Sequence, residues 1–173
     1  MKPRPHSGAP FAEGIPGPAD DERLMREALD EAARATGHAD VPVGAVVVRD
    51  GHVIARAHNR REVDADPTAH AELLALRDAA VALGRWRLSD CALYVTIEPC
   101  AMCAAAAVLA RVALVTFGAP DEKAGAVRSA AEILDAPWAN HHPRWRYYPL
   151  AREEAERLLA DFFAAHRRAS DDL

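Results

Sequence analysis

Apolar residues recur along this chain with two periods, and the switching between them outlines the fold. Residues 1–19 follow neither period and hold five of the twelve prolines and three of the nine glycines. That composition predicts a disordered extension. Asp20 and Asp21 then offer an N-cap and favourable first-turn charge. Leu24, Ala28, Leu29 and Ala32 form the stripe of a helix that Gly37 can stop. Residues 43–49 and 52–58 are β-rich runs joined by Asp50-Gly51, a strong two-residue hairpin signal.

Residues 60–66 are polar and predict a loop. Asp66 and Pro67 predict the N-cap and first position of a second helix, carrying His70 and Glu72 in its opening turns and ending near Gly84. Residues 91–96 predict a third strand, and Pro99 breaks it to start a helix with Cys100 and Cys103 in its first turn. Residues 113–118 form a fourth strand, parallel to the third because a helix crosses between them. Residues 144–148 make a candidate fifth strand. Residues 151–168 are a closing amphipathic helix with Leu158, Leu159 and Phe162 inward. The pattern predicts an α/β fold, a three-layer α/β/α sandwich around a central mixed five-stranded sheet. One domain would span residues 20–169, with 170–173 as a short tail.

Bulk properties narrow the picture only slightly. Length of 173 residues, 50% hydrophobic and 27% charged residues fit a single globular domain. No apolar run approaches the roughly 20 residues needed to span a bilayer, and the N-terminus lacks the apolar core of a secretion signal. Both point to the cytoplasm and away from a membrane. The three cysteines argue against a disulfide framework. Cys91 opens an apolar strand and reads as a buried thiol too far from Cys100 to join it.

The chemistry concentrates in His70-Ala71-Glu72 and Pro99-Cys100-Ala101-Met102-Cys103. His70, Cys100 and Cys103 supply three zinc ligands and leave a fourth tetrahedral position open, as catalytic zinc sites do. Glu72 would stand beside that position and move protons. Cysteines spaced i, i+3 share one helix face, and a helix N-terminus lowers thiol pKa toward the thiolate that zinc requires. A purely structural zinc site would need a fourth ligand, for which His141 and His142 are the candidates. Glu98, extended before proline, reads as structural.

Val41-Pro42-Val43-Gly44-Ala45, His58-Asn59-Arg60, Asp66 to Glu72 and Thr96 to Cys103 occur in order. Together with the H-x-E…P-C-x-x-C signature, they resemble the bacterial tRNA-specific adenosine deaminases of the cytidine deaminase-like superfamily over roughly residues 20–168. The resemblance implies Zn2+-dependent conversion of adenosine to inosine at the wobble position of a tRNA anticodon loop, with the anticodon stem-loop as partner and a homodimer as the assembly. It also implies that Asn59 contacts the nucleoside, and it matches Phe162, Arg167 and Arg168 to aromatic and basic positions near the family's end.

Arg144-Trp145-Arg146-Tyr147-Tyr148 interleaves cations with rings that could stack on bases, which makes Arg144 and Arg146 RNA-contact candidates. A buried fifth strand is the alternative for that stretch. The net charge of −5 counts against RNA, so any grip must come from a local basic patch. Pro120, His142 and Ala104-Ala105 depart from the family pattern, the first two where it carries arginine. A free-base or nucleoside deaminase, for guanine or cytidine, shares the metal motif and is the competing reading. An inactive zinc-stabilised binding module is a third, and the intact Glu72 argues against it.

Overall fold

A computed structural model describes residues 14–171, with side-chain surroundings as far as Arg167. The expected extension over residues 1–13 and the last two residues of the expected tail lie outside the described residues. Helix α1 spans Asp21–Ala35, and strands β1 (Gly44–Arg49) and β2 (His52–His58) form a hairpin. A short helix α2 (Arg61–Asp64) leads to α3 (Ala71–Leu83), β3 (Cys91–Ile97), α4 (Ala101–Leu109), β4 (Leu114–Ala119), β5 (Arg144–Tyr147) and α5 (Arg152–Asp171). The five strands run in the order β2-β1-β3-β4-β5. β1 is antiparallel to both β2 and β3, while β3, β4 and β5 are mutually parallel neighbours. The sheet is the mixed one expected.

Alternation along the strands sorts side chains into two cores. Ala45, Val47, Leu93, Val95, Val115 and Phe117 pack against α3 and α4. Val46, Val48, Ala92, Tyr94 and Leu114 pack against α1 and α5. Helices therefore cover both faces and give three layers. The hairpin turn takes Asp50 at φ 50° and Gly51 at φ 74°, the positive values a type I′ turn needs. At Gly44 a Cβ would come within 2.1 Å of the Ala28 carbonyl oxygen, so only glycine lets α1 lie this close to β1. Among the described residues, no helix is long and apolar enough to cross a membrane.

Three local expectations are corrected. First, α3 starts at Ala71, not at Pro67. The Asp66 carboxylate instead accepts from the Thr68 N–H and hydroxyl, each at 2.7 Å, closing a turn on itself. Second, the polar stretch after β2 contains α2, because the buried Asp40 carboxylate accepts from the N–H groups of Glu62 and Val63. Third, residues 14–19 belong to the folded unit. Ile15 is buried in the α1-side core and the Pro16 carbonyl accepts a 2.9 Å bond from Arg146. At the other end, α5 carries the backbone through Asp171, into the expected tail.

Candidate active site

Two helix N-termini meet at the edge of the sheet where β3 and β4 end. His70 is the N-cap residue of α3 and Cys100 that of α4, both with extended backbone (ψ 148° and 173°). Cys103 follows in the first turn of α4 and is buried. His70 Nδ1 lies 3.7 Å from Cys100 Sγ and 3.6 Å from Cys103 Sγ. All three ligand atoms fall within 4.8 Å of one another, and among the described residues they are the group placed to hold a metal ion.

Those distances suit zinc. Bonds near 2.3 Å to sulfur and 2.0–2.1 Å to nitrogen, in tetrahedral geometry, put nitrogen and sulfur about 3.6 Å apart. Both fourth-ligand candidates are committed elsewhere: His141 Nε2 bonds the Val112 carbonyl at 2.7 Å, and His142 Nδ1 the Leu134 carbonyl at 3.0 Å. Three protein ligands and an open position characterise a catalytic site.

Charge in the cluster is arranged for a cation. Hydrogen bonds from the Cys103 thiol and from His70 push Cys100 down to about 4, which favours its thiolate form. The bond to Cys100 and burial push Cys103 the other way. A bound cation would favour the deprotonated form of both sulfurs. The bond to Cys100 also raises the His70 pKa.

Glu72 is 4% exposed, and burial raises its pKa to about 7. Its Oε2 is buried without a hydrogen-bond partner. A polar atom in that condition is costly unless something is meant to meet it.

Asn59 is buried where β2 ends, and its Oδ1 accepts from the Ala71 N–H at 2.9 Å. With the oxygen already holding α3, the amide NH2 is the group with no bond among the described residues. Glu98 is a structural hub: its carboxylate accepts from the backbone N–H groups of Asp121, Val127, Arg128 and Ser129 and from the Ser129 hydroxyl. Cys91 is fully buried at the opposite end of β3, with its thiol pushed up to about 12 by burial.

The RNA-contact candidates separate. Trp145 and Tyr147 pack on Phe117, half-buried against the core as in a strand covered on that face. Arg146 consequently faces α1, where it pairs with Asp21 at 2.8 Å and bonds the Tyr94 hydroxyl at 3.0 Å. A guanidinium engaged this way, with its side chain 16% exposed, is not offered to RNA, which corrects the expectation for Arg146. Arg144 is half-buried and engaged with its neighbours. Phe162 meets Phe163 edge-on and His166 at a tilt, and lines a groove of about 410 Å³ with Asp40, Arg61 and Glu62. Arg167 is exposed, and the Arg168 side chain lies outside the described residues.

The family model for the cytidine and deoxycytidylate deaminase zinc-binding region matches residues 18–119. The tRNA-specific adenosine deaminase of Aquifex aeolicus (strain VF5) is 50% identical over 142 residues, 82% of this chain and 93% of that protein. The chain belongs to the tRNA-specific adenosine deaminase family. A solved structure from a study of A-to-I editing by tRNA:A34 deaminases at the wobble position of transfer RNA is similar to it. That structure shares 45% identity, has a TM-score of 0.77 and covers 80% of this chain and 99% of its own. The guanine deaminase of Bacillus subtilis shares 40% identity with a TM-score of 0.55, covering 57% of this chain and 64% of that one. As a member of this deaminase family, the chain is a zinc-dependent deaminase, and its His-Cys-Cys cluster lies where such a metal belongs.

Proposed function

We propose that this enzyme hydrolyses adenosine to inosine at the wobble position of a tRNA anticodon loop, with His70, Cys100 and Cys103 as zinc ligands and Glu72 as proton carrier. The observation that carries the reading is the buried Glu72 carboxylate, one oxygen of which has no hydrogen-bond partner, two residues from a His70 that faces both sulfurs. The similar tRNA deaminases support the substrate.

Bound zinc would supply Lewis acidity that lowers the pKa of water toward neutrality. Glu72 takes a proton from the attacking water and delivers it to the ring nitrogen beside the amine-bearing carbon. It then takes the proton of the hydroxyl now on that carbon and passes it to the departing amine as the C–N bond breaks, so adenosine and water become inosine and ammonia. A carboxyl raised to about 7 by burial is suited to both halves of that exchange near neutral pH. Asn59 Nδ2 is the donor we assign to the nucleoside. Phe162, Arg167 and Arg168 remain candidates for the loop itself.

The three cysteines are free, which fits a reducing cytoplasm. We infer a homodimer joined through the α3–α4 face. There Val81, Trp86 and Leu109 are exposed, and an apolar groove of about 280 Å³ runs between the helices. A second copy of the same face is the occupant that would bury those residues.

The likeness to a guanine deaminase keeps one alternative open to test. Ammonia release should be measured in parallel from an adenosine-containing anticodon stem-loop, guanine, adenosine and cytidine. The proposal expects the stem-loop to be the efficient substrate. Efficient turnover of guanine or cytidine with an untouched stem-loop would overturn it.

A further inference from the structure

The two thiols that face His70 are held in different ways. Cys103 lies within α4, in its first turn, where the helix itself fixes its place. Cys100 stands before the helix as its N-cap, with extended backbone. From the helix side, its carbonyl accepts the Ala104 N–H at 2.8 Å. From the other side it meets a segment 25 residues further along the chain: Gly125 bridges to Cys100, and the Ala126 N–H donates to the Pro99 carbonyl at 2.8 Å. The backbone entering Cys100 is thus fastened to residues 125 and 126.

Glu98 decides where residues 125 and 126 can lie. Its Oε1 accepts from the N–H groups of Val127, Arg128 and Ser129 at 3.1, 2.7 and 3.0 Å. Its Oε2 accepts from the Asp121 N–H at 3.2 Å and from the Ser129 hydroxyl. These donors come from both flanks of Gly125, so the segment is wrapped around one buried carboxylate. Bonds to an ionised acceptor are the strong ones. A Cβ on Gly125 would lie 2.5 Å from Glu98 Cδ and 2.5 Å from the Asp121 carbonyl oxygen. The wrapping is therefore tight, with glycine as the spacer between Glu98 and Cys100.

We propose that Glu98 is a positioning residue for the metal: by gathering N–H groups on both sides of Gly125, its carboxylate holds residues 125 and 126 against Pro99 and Cys100 and so fixes Cys100 for zinc. The inference rests on the reading of Cys100 as a zinc ligand. Groups that orient a ligand from behind change metal affinity by about 10–100-fold when they are altered. Here the orientation is passed through backbone, from a carboxylate that does not itself touch the sulfur. His70 and Cys103 are held by α3 and α4, so loss of the Glu98 carboxylate loosens one ligand of three. Zinc binding is weakened and not abolished.

The test is zinc affinity, measured by competition with a chromophoric chelator, for the wild-type chain, Glu98→Gln and Arg146→Ala at a temperature where all three are folded. Glu98→Gln sets an amide NH2 against N–H donors and should lower zinc affinity by about tenfold or more. With Co2+ in place of zinc, its thiolate-to-metal absorption bands should differ from wild type in position or intensity. Arg146→Ala breaks the pair with Asp21 at α1 and so reports loss of stability alone; it should keep the wild-type affinity and cobalt bands. Gly125→Ala leaves the carboxylate in place but forces the segment away from it. It should weaken zinc to a similar degree, and it carries the test should Glu98→Gln not fold. Wild-type affinity in the altered segment, an equal loss in Arg146→Ala, or an affinity loss with wild-type cobalt bands overturns this inference and leaves Cys100 as a ligand. Undiminished zinc in Cys100→Ser removes the ligand assignment and this inference with it.

Discussion

Asn59 Oδ1 accepts the Ala71 N–H at 2.9 Å, so the residue matched to substrate binding also holds the first turn of the helix that carries His70 and Glu72. The two duties use different atoms of one carboxamide. Asn59→Asp keeps an acceptor oxygen for Ala71 and removes the NH2 group. It should retain zinc and lose at least tenfold in kcat/KM. Asn59→Ala should in addition lose about 1 kcal/mol of stability with the helix cap. Equal activity for Asn59→Asp and wild type, measured on the stem-loop, would free Asn59 of any substrate role.

Arg146 gives a different kind of prediction, because its partner Asp21 is 4% exposed. Removing one member of a buried ion pair leaves an uncompensated charge and costs about 3–5 kcal/mol. Arg146→Ala should therefore lower the midpoint of urea denaturation strongly. Among purified molecules that remain folded, stem-loop affinity should hold. A stable Arg146→Ala enzyme with weakened RNA binding would reverse the assignment.

Glu98→Gln tests the hub below the Cys100 turn. The amide presents N–H groups where the carboxylate accepted from four backbone N–H groups and a hydroxyl. Hydrogen bonds to a charged group contribute about 1.5–3 kcal/mol each, so even one lost bond should be visible in thermal melting. An unchanged melting temperature would show that the segment is held by other contacts.

The metal assignment is checked by elemental analysis. Cys100→Ser and Cys103→Ser should each purify with far less than one zinc per chain, because a hydroxyl neither ionises nor binds zinc as a thiolate does. Undiminished zinc in both variants would remove these cysteines from the site.

The chemistry of this chain was legible where it resides in residue types at fixed spacing. His70, Glu72, Cys100 and Cys103 come from two short motifs, and the structure brings His70, Cys100 and Cys103 together. The strands were legible too, since β1, β3 and β4 are continuous apolar runs whose alternate members fill two cores. Less was visible where a contact joins distant positions. The Asp40 bonds that define α2, and the Glu98 bonds to Val127, Arg128 and Ser129, reach 22–31 residues along the chain. Arg146 illustrates the problem: cations alternating with rings resemble a nucleic-acid surface, yet the same alternation in a strand packed on the core turns Arg146 toward Asp21. The late start of α3 had a local cause, the Asx turn at Asp66 competing with the helix for the same N–H groups.

The central claim is that Glu72 moves the protons while His70, Cys100 and Cys103 hold the metal. Single-turnover inosine formation in an adenosine-containing anticodon stem-loop, measured with Glu72→Ala enzyme shown to carry one zinc per chain, addresses it most directly. The account predicts a rate lower than wild type by several orders of magnitude, at full zinc content and near-wild-type melting temperature. A zinc-loaded Glu72→Ala enzyme forming inosine at more than a few per cent of the wild-type rate would contradict it.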